Sequence, residues 1–231
     1  MSDILLLTFA GALVGLDHLS LKTMISRPIV VAPVLGLIFG EERLGLLAGA
    51  WLELMWIDKV PMGNYVPPAA SYLAVIAVGS MILAGGKGEH AHLTFVLTIF
   101  LLLPVAYLGK GLDTWIFTCN EVSARRAELA AKEGKEKKVE REHLLAIARG
   151  LIISTLFMVT MSILGAFALR FLLKHSAPWA LRVADFVFYF FPPVLLGGAL
   201  HGAWGRGEGK LFIMAGILGG LVCLLVYGLD L

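Results

Sequence analysis

"GLIISTLFMVTMSILGAFALRFLL", residues 150–173, is apolar over a stretch long enough to cross a lipid bilayer as a helix. At 1.5 Å of rise per residue, roughly 20 apolar residues cover the hydrocarbon core. Comparable runs recur over 4–16, 28–40, 44–57, 69–86, 93–108, 180–204 and 211–229, and those from 69 onward approach or exceed the spanning length. Composition agrees: 58% of the 231 residues are hydrophobic, 16% are charged, and mean hydropathy is +0.85. Soluble domains are nearer half apolar and a quarter charged. The sequence predicts an all-α, polytopic membrane bundle, organised as one membrane-embedded domain over residues 1–231. The first run has Asp3 before it and no Lys or Arg, and no small-x-small cleavage site precedes Asp17. It therefore reads as a mature helix rather than a signal peptide.

One segment breaks the apolar pattern. Residues 121–149, "EVSARRAELAAKEGKEKKVEREHLLAIAR", hold 8 of the 19 Lys and Arg. The positive-inside rule places such a loop in the cytoplasm. Glu121–Arg125, Glu128–Lys132 and Glu133–Lys137 are each four apart with the acid first, which supports an exposed helix, broken or bent around Gly134. Either a solvated linker between two membrane halves or a docking surface for a cytoplasmic partner satisfies this pattern.

The N-terminal third is built differently. "SRPIVVAPVLGLIFGEERLG" (26–45) and "KVPMGNYVPPAA" (59–70) interrupt short apolar runs with Gly and Pro. Such segments suit broken or re-entrant helices in residues 17–70, whose free backbone groups face protein or a wet cavity. Within this third, "LGLLAGAWLELMWI" (44–57) carries Glu53 and no Lys or Arg. A carboxylate at membrane depth costs about 2.5–3.5 kcal/mol on insertion scales. It needs a partner from another segment, and Asp17, His18 and Asn64 are the polar candidates nearby in sequence. Glu53 reads as an acceptor for sugar hydroxyls, or as a carboxylate brought to the interface by helix tilt. Asp17 and His18 are either a second polar wall of the same cavity or a helix end reaching water. Asn64 suits hydroxyl recognition or an ordinary turn. Trp51 and Trp56 either offer flat apolar faces to the C–H side of a sugar ring or act as interfacial anchors, and the anchor reading is preferred.

Other signals are weak. Cys119 and Cys223 stand too far apart for a disulfide framework or a metal site and read as inert thiols. His90 and His92, with no third ligand, read as an exposed loop. "GRGEGK" (205–210) lacks phosphate-loop spacing. Pro192 and Pro193 must kink or interrupt their helix. There is no internal repeat, nucleophile motif or nucleotide fingerprint, so neither cofactor, metal nor nucleic-acid partner is expected.

The order of short motifs between residues 15 and 68 resembles the IIC subunit of mannose-family sugar phosphotransferase systems. G-x-D falls at Asp17, R-P at Arg27-Pro28, a G-L-I-F-G-E-type stretch at Gly36 to Glu41, L-E-L at Leu52-Glu53-Leu54, and G-x-x-x-P-P at Gly63 to Pro68. Beyond residue 70 the likeness is one of hydropathy and layout. The resemblance implies a multi-pass permease subunit of the bacterial inner membrane, not itself an enzyme, which translocates a hexose or amino sugar. It implies an oligomeric assembly with a IID membrane subunit, and soluble IIA and IIB proteins that carry the phosphate. It also implies a sugar site that includes Glu53 and Asp17, and more loosely Asn64. Two departures, Ala69 in place of the usual Asp or Asn and a chain that stops at Leu231, motivate an alternative: a non-transporting anchor or regulatory subunit of an incomplete system.

Overall fold

The computed structural model describes residues 2–57, 59, 65–85, 90–204 and 209–228, all helix and connection with no strand among them. Eight α-helices follow in order: α1 Ser2–Leu16, α2 Pro28–Phe39, α3 Glu42–Trp56, α4 Ala70–Ala84, α5 Ala91–Lys132, α6 Glu136–Lys174, α7 Pro178–Trp204 and α8 Gly209–Gly228. A π-helical turn, Asp17–Leu21, prolongs α1. Among the described residues, four helices are long and apolar enough to cross a membrane: Ser2–Leu21, Ala91–Lys132, Glu136–Lys174 and Pro178–Leu200.

At the centre stands α4. Its sequence is apolar all round, and every residue from Ser71 to Met81 is buried, as such a helix requires. It packs against α1, α2, α3, α5 and α6. The run 69–86 was expected to span the bilayer, but α4 has only 15 residues, about 22 Å of rise. Its C-terminus is completed by a partner. Gly85 takes a left-handed φ of +72°, and Arg170 of α6 donates to the carbonyls of Leu83 and Ala84. Small residues bring α1 close to α6: a Cβ on Gly15 would overlap Ser154 Oγ.

The α2–α3 pair is the short-helix feature expected of the N-terminal third. With 12 and 15 residues the two rise about 18 and 22 Å, less than the roughly 30 Å hydrocarbon core. Pro28 opens α2 at its first position and Gly40, at φ +71°, closes it. The helices meet through Ala32 and Gly36 on α2 and Gly45 and Gly49 on α3, a small-xxx-small face on each. A Cβ on Gly49 would lie 2.8 Å from the Pro28 carbonyl oxygen, and one on Gly36 2.9 Å from Gly45 Cα.

The basic segment is helical and breaks at Gly134, as its charge spacing predicts. It forms the ends of α5 and α6, 42 and 39 residues long, joined by a turn at Gly134 with φ +67°. Arg149 ties the pair together by donating to the Cys119 carbonyl at 3.0 Å and to Asn120 Oδ1 at 3.1 Å. The i,i+4 pairs Glu121–Arg125 and Glu128–Lys132 form, each at 2.7 Å. Glu133 pairs with Lys135 instead of Lys137, because the helix breaks between them. Helix α7 continues through Pro192 and Pro193 without interruption.

Two readings are corrected here. Trp51 is not an interfacial anchor: it is 2% exposed and packs on Phe95, Phe191 and Phe188 at 5.0, 5.2 and 6.0 Å, joining α3 to α5 and α7. His92 is not in a loop: it stacks on Phe188 at 4.0 Å and lies 2.7 Å from Asp185 Oδ1.

Candidate functional site

The connection between the π-helical turn and α2 supplies one wall of the site. Its path needs left-handed backbone at two non-glycine residues, Lys22 (φ 56°) and Met24 (φ 66°). Asp17 holds that path. Its Oδ1 accepts from the Thr23 N–H at 2.7 Å and from the Thr23 hydroxyl, and its Oδ2 accepts from the Ser26 N–H at 2.8 Å. The side chain is buried and outside the cavity lining. Asp17 therefore stands behind the wall, holding it in shape.

That geometry carries Arg27 to the mouth of α2, opposite Glu53 of α3. The guanidinium Nη2 pairs with Glu53 Oε1, and the Ile29 N–H donates to Oε2 at 3.2 Å. Ile29 lies in the first turn of α2, where backbone N–H groups lack intrahelical partners and the helix dipole favours an anion. The partner of Glu53 is thus Arg27 with the start of α2. Neither Asp17 nor His18 fills that role, and Asn64 lies outside the described residues. Sequence reasoning placed Arg27-Pro28 in a motif without pairing it. The signal lay in a carboxylate and a guanidinium that both needed neutralising within the same short apolar segments.

A cavity of about 350 Å³ opens beside this pair, within the roughly 300–1,000 Å³ range of small-molecule sites. Glu53, Arg27, His18, Lys22, Ser26, Ser71 and Trp56 line it, with Leu52, Pro67 and Pro68 as apolar surface. Trp56 is half-buried on the wall, where an interfacial anchor was expected. Glu53 and His18 thus meet at one cavity. Residue 69 does not belong to the lining: Ala69 is 1% exposed, its N–H donates to the Ala106 carbonyl at 2.9 Å, and it faces Gly109 of α5. The alanine there removes no polar group from the cavity wall.

A second polar group was not foreseen. Asp113 of α5, 2% exposed, accepts from the Tyr72 hydroxyl at 2.7 Å and sits 2.9 Å from His18 Nε2. The apolar run was read as ending at 108, which put Asp113 beyond the membrane segment; α5 in fact continues past it. Among the described residues, no group of three or more His, Cys, Asp or Glu is arranged to hold a metal.

Comparison with known proteins identifies the setting. Residues 1–190 match the family described as "PTS system sorbose-specific iic component". Relatives include the fructose permease IIC component of Bacillus subtilis, 27% identical over 70% of this chain and 58% of its own length. A putative N-acetylgalactosamine permease IIC component 2 of Escherichia coli is 32% identical over 50% of this chain and 82% of its own length. The sorbose-specific EIIC component of Klebsiella pneumoniae is 26% identical over 52% and 43%. The chain thus spans little more than half of the first of these and less than half of the last. A solved structure described as "Structure of membrane protein" matches 100% of this chain and 93% of its own, with a TM-score of 0.70 at 17% identity, so the fold is shared. With 190 residues matched to one family and a bundle of membrane-length helices to carry them, the chain belongs to the sorbose-type IIC family of phosphotransferase-system sugar permease components and is a multi-pass protein of the bacterial inner membrane.

Proposed function

We propose that this chain is the sugar-binding IIC subunit of a phosphoenolpyruvate-dependent permease, and that the cavity beside Glu53 takes a hexose or amino sugar. The observation that carries the reading is the state of Glu53. Among the described residues its two oxygens have one protein partner each, Arg27 and the Ile29 N–H. A carboxylate offers about four acceptor positions, so two remain for sugar hydroxyls. Arg27, Ser26 and Ser71 supply donors, and Trp56 a flat apolar face for the C–H side of a ring. Asp17 supports the site by holding the 22–27 connection, and Asn64, outside the described residues, stays a sequence-based candidate for a further hydroxyl partner.

Translocation follows alternating access around this midplane site, in an oligomer with a IID membrane subunit. Soluble IIA and IIB proteins bring the phosphate, and this chain holds the sugar for transfer. The test is sugar affinity of the full chain with its IID partner in nanodiscs, against fructose, sorbose, mannose and N-acetylgalactosamine. Glu53→Gln is expected to fold and assemble while losing about 1.5–3 kcal/mol of binding, the range for hydrogen bonds to charged groups. Unchanged affinity would remove Glu53 from the sugar site.

A further inference from the structure

His18, Asp113 and Tyr72 come from three elements, the π-helical turn, α5 and α4, and meet behind one edge of the cavity. Tyr72 is 0% and Asp113 2% exposed, whereas the His18 side chain keeps 21%. The Tyr72 hydroxyl occupies Asp113 Oδ1 at 2.7 Å, and His18 Nε2 lies 2.9 Å from Oδ2. A carboxylate only accepts, so the hydrogen of the 2.9 Å contact belongs to His18 Nε2. In a neutral imidazole the other nitrogen then carries a lone pair. The ring cannot swing freely, because Tyr72 packs edge-on against it at 4.8 Å and 61°. His18 Nδ1 has no hydrogen-bond partner among the described residues, and His18 lines the cavity.

We propose that Asp113 is a positioning residue for sugar recognition: with Tyr72 it holds a proton on His18 Nε2, so that in the neutral ring Nδ1 is offered to the cavity as an acceptor for a sugar hydroxyl. The inference rests on the sugar-binding reading above. It gives the cavity a second acceptor besides Glu53, in a lining that also holds the donors Arg27 and Ser26. A hydroxyl both donates and accepts, so a site with acceptors and donors at fixed points selects the orientation of each hydroxyl. A purely structural cluster would hold the same tautomer, so sugar affinity in a variant that moves the proton is the readout that separates the two roles.

The test is made on the full chain with its IID partner in nanodiscs, with ¹⁵N-labelled histidine. The chain has six histidines, and the spectrum of His18→Gln identifies the signals of His18. Wild type is expected to show a protonated Nε2 and an unprotonated Nδ1; an imidazolium or the opposite tautomer overturns the proposal. In Asp113→Asn the amide oxygen keeps the Tyr72 hydroxyl and the amide nitrogen donates to Nε2, which moves the ring proton to Nδ1. That variant is expected to bind the best-bound sugar of the panel about tenfold more weakly, the loss of one hydrogen bond with its partner left unpaired, at an unchanged Tm. A flipped tautomer with unchanged affinity overturns the positioning role. If Asp113→Asn does not assemble, the wild-type spectrum still decides the tautomer. If wild type bound no sugar at all, the transport reading would fail separately, with the spectrum unaffected.

Discussion

Arg27 and Glu53 differ in how far each is buried by this chain: 44% of the guanidinium side chain is exposed against 12% of the carboxylate side chain. Losing one partner therefore costs differently from losing the other. In Glu53→Leu the group left unpaired is the more exposed guanidinium, so the loss is the smaller of the two. In Arg27→Leu a nearly buried carboxylate is left with the Ile29 N–H alone, and an undersatisfied buried group costs about 1–3 kcal/mol. Thermal unfolding should rank Arg27→Leu below Glu53→Leu; the opposite order would mean that the ion pair is not formed in the membrane. Asp17 is a sharper case, because one carboxylate serves three donors on Thr23 and Ser26. Asp17→Ala should destabilise by about 1–3 kcal/mol for each donor left dry, less whatever the 22–27 connection recovers by relaxing. Asp17→Asn keeps one acceptor oxygen and should lose less. Equal Tm values for the two variants would show that the connection is held by something else.

Helices α2 and α3 touch backbone to backbone, so Gly45→Ala is expected to act at a distance. Its Cβ would overlap the Ala32 carbonyl oxygen and wedge the two helices apart, although no polar group is altered. Because Arg27 precedes α2 and Glu53 sits near the end of α3, the same wedge should weaken sugar affinity and lower Tm together. Gly111 on α5 has nothing within 4 Å of its would-be Cβ, so Gly111→Ala should leave binding intact and raise stability by up to about 1 kcal/mol. Equal effects of the two alanines on Tm would remove the packing argument. Some elements were legible in the sequence because they depend on Gly, Pro and charge spacing: the short N-terminal helices, the helical basic segment and its break at Gly134 are readable that way. The shortness of α4 and the reach of α5 past residue 108 were not, and neither were the pairings. Arg27 meets Glu53 only after two helices fold back on each other, and Asp113 meets His18 across 95 residues; neither separation leaves a local pattern. Trp51 has the composition of an interfacial anchor, and only the arrival of α5 and α7 makes it core.

At the scale of the whole molecule, α5 and α6 are about two and a half to three and a half times as long as α1 to α4. At 1.5 Å per residue the 42 residues of α5 rise about 63 Å, twice the hydrocarbon core, so the charged ends must stand clear of the lipid. The Lys and Arg excess there predicts the cytoplasmic side. Cysteines at Lys132 and Lys137, both exposed, should react with a membrane-impermeant thiol reagent only after permeabilisation; Ala130, 1% exposed, would be a poor reporter. Labelling in intact cells would invert the topology. The clasp on α4 has a consequence in time. The ribosome delivers α4 long before Arg170, whose side chain completes the α4 C-terminus from 86 and 87 residues downstream. Until α6 has been synthesised, α4 is a 15-residue apolar helix with unpaired terminal carbonyls, too short to settle across the bilayer alone. Biogenesis must therefore keep this segment waiting beside the insertion machinery, or let it be drawn in late. A nascent chain halted before α6 should expose it to protease, and release of the full chain should protect it.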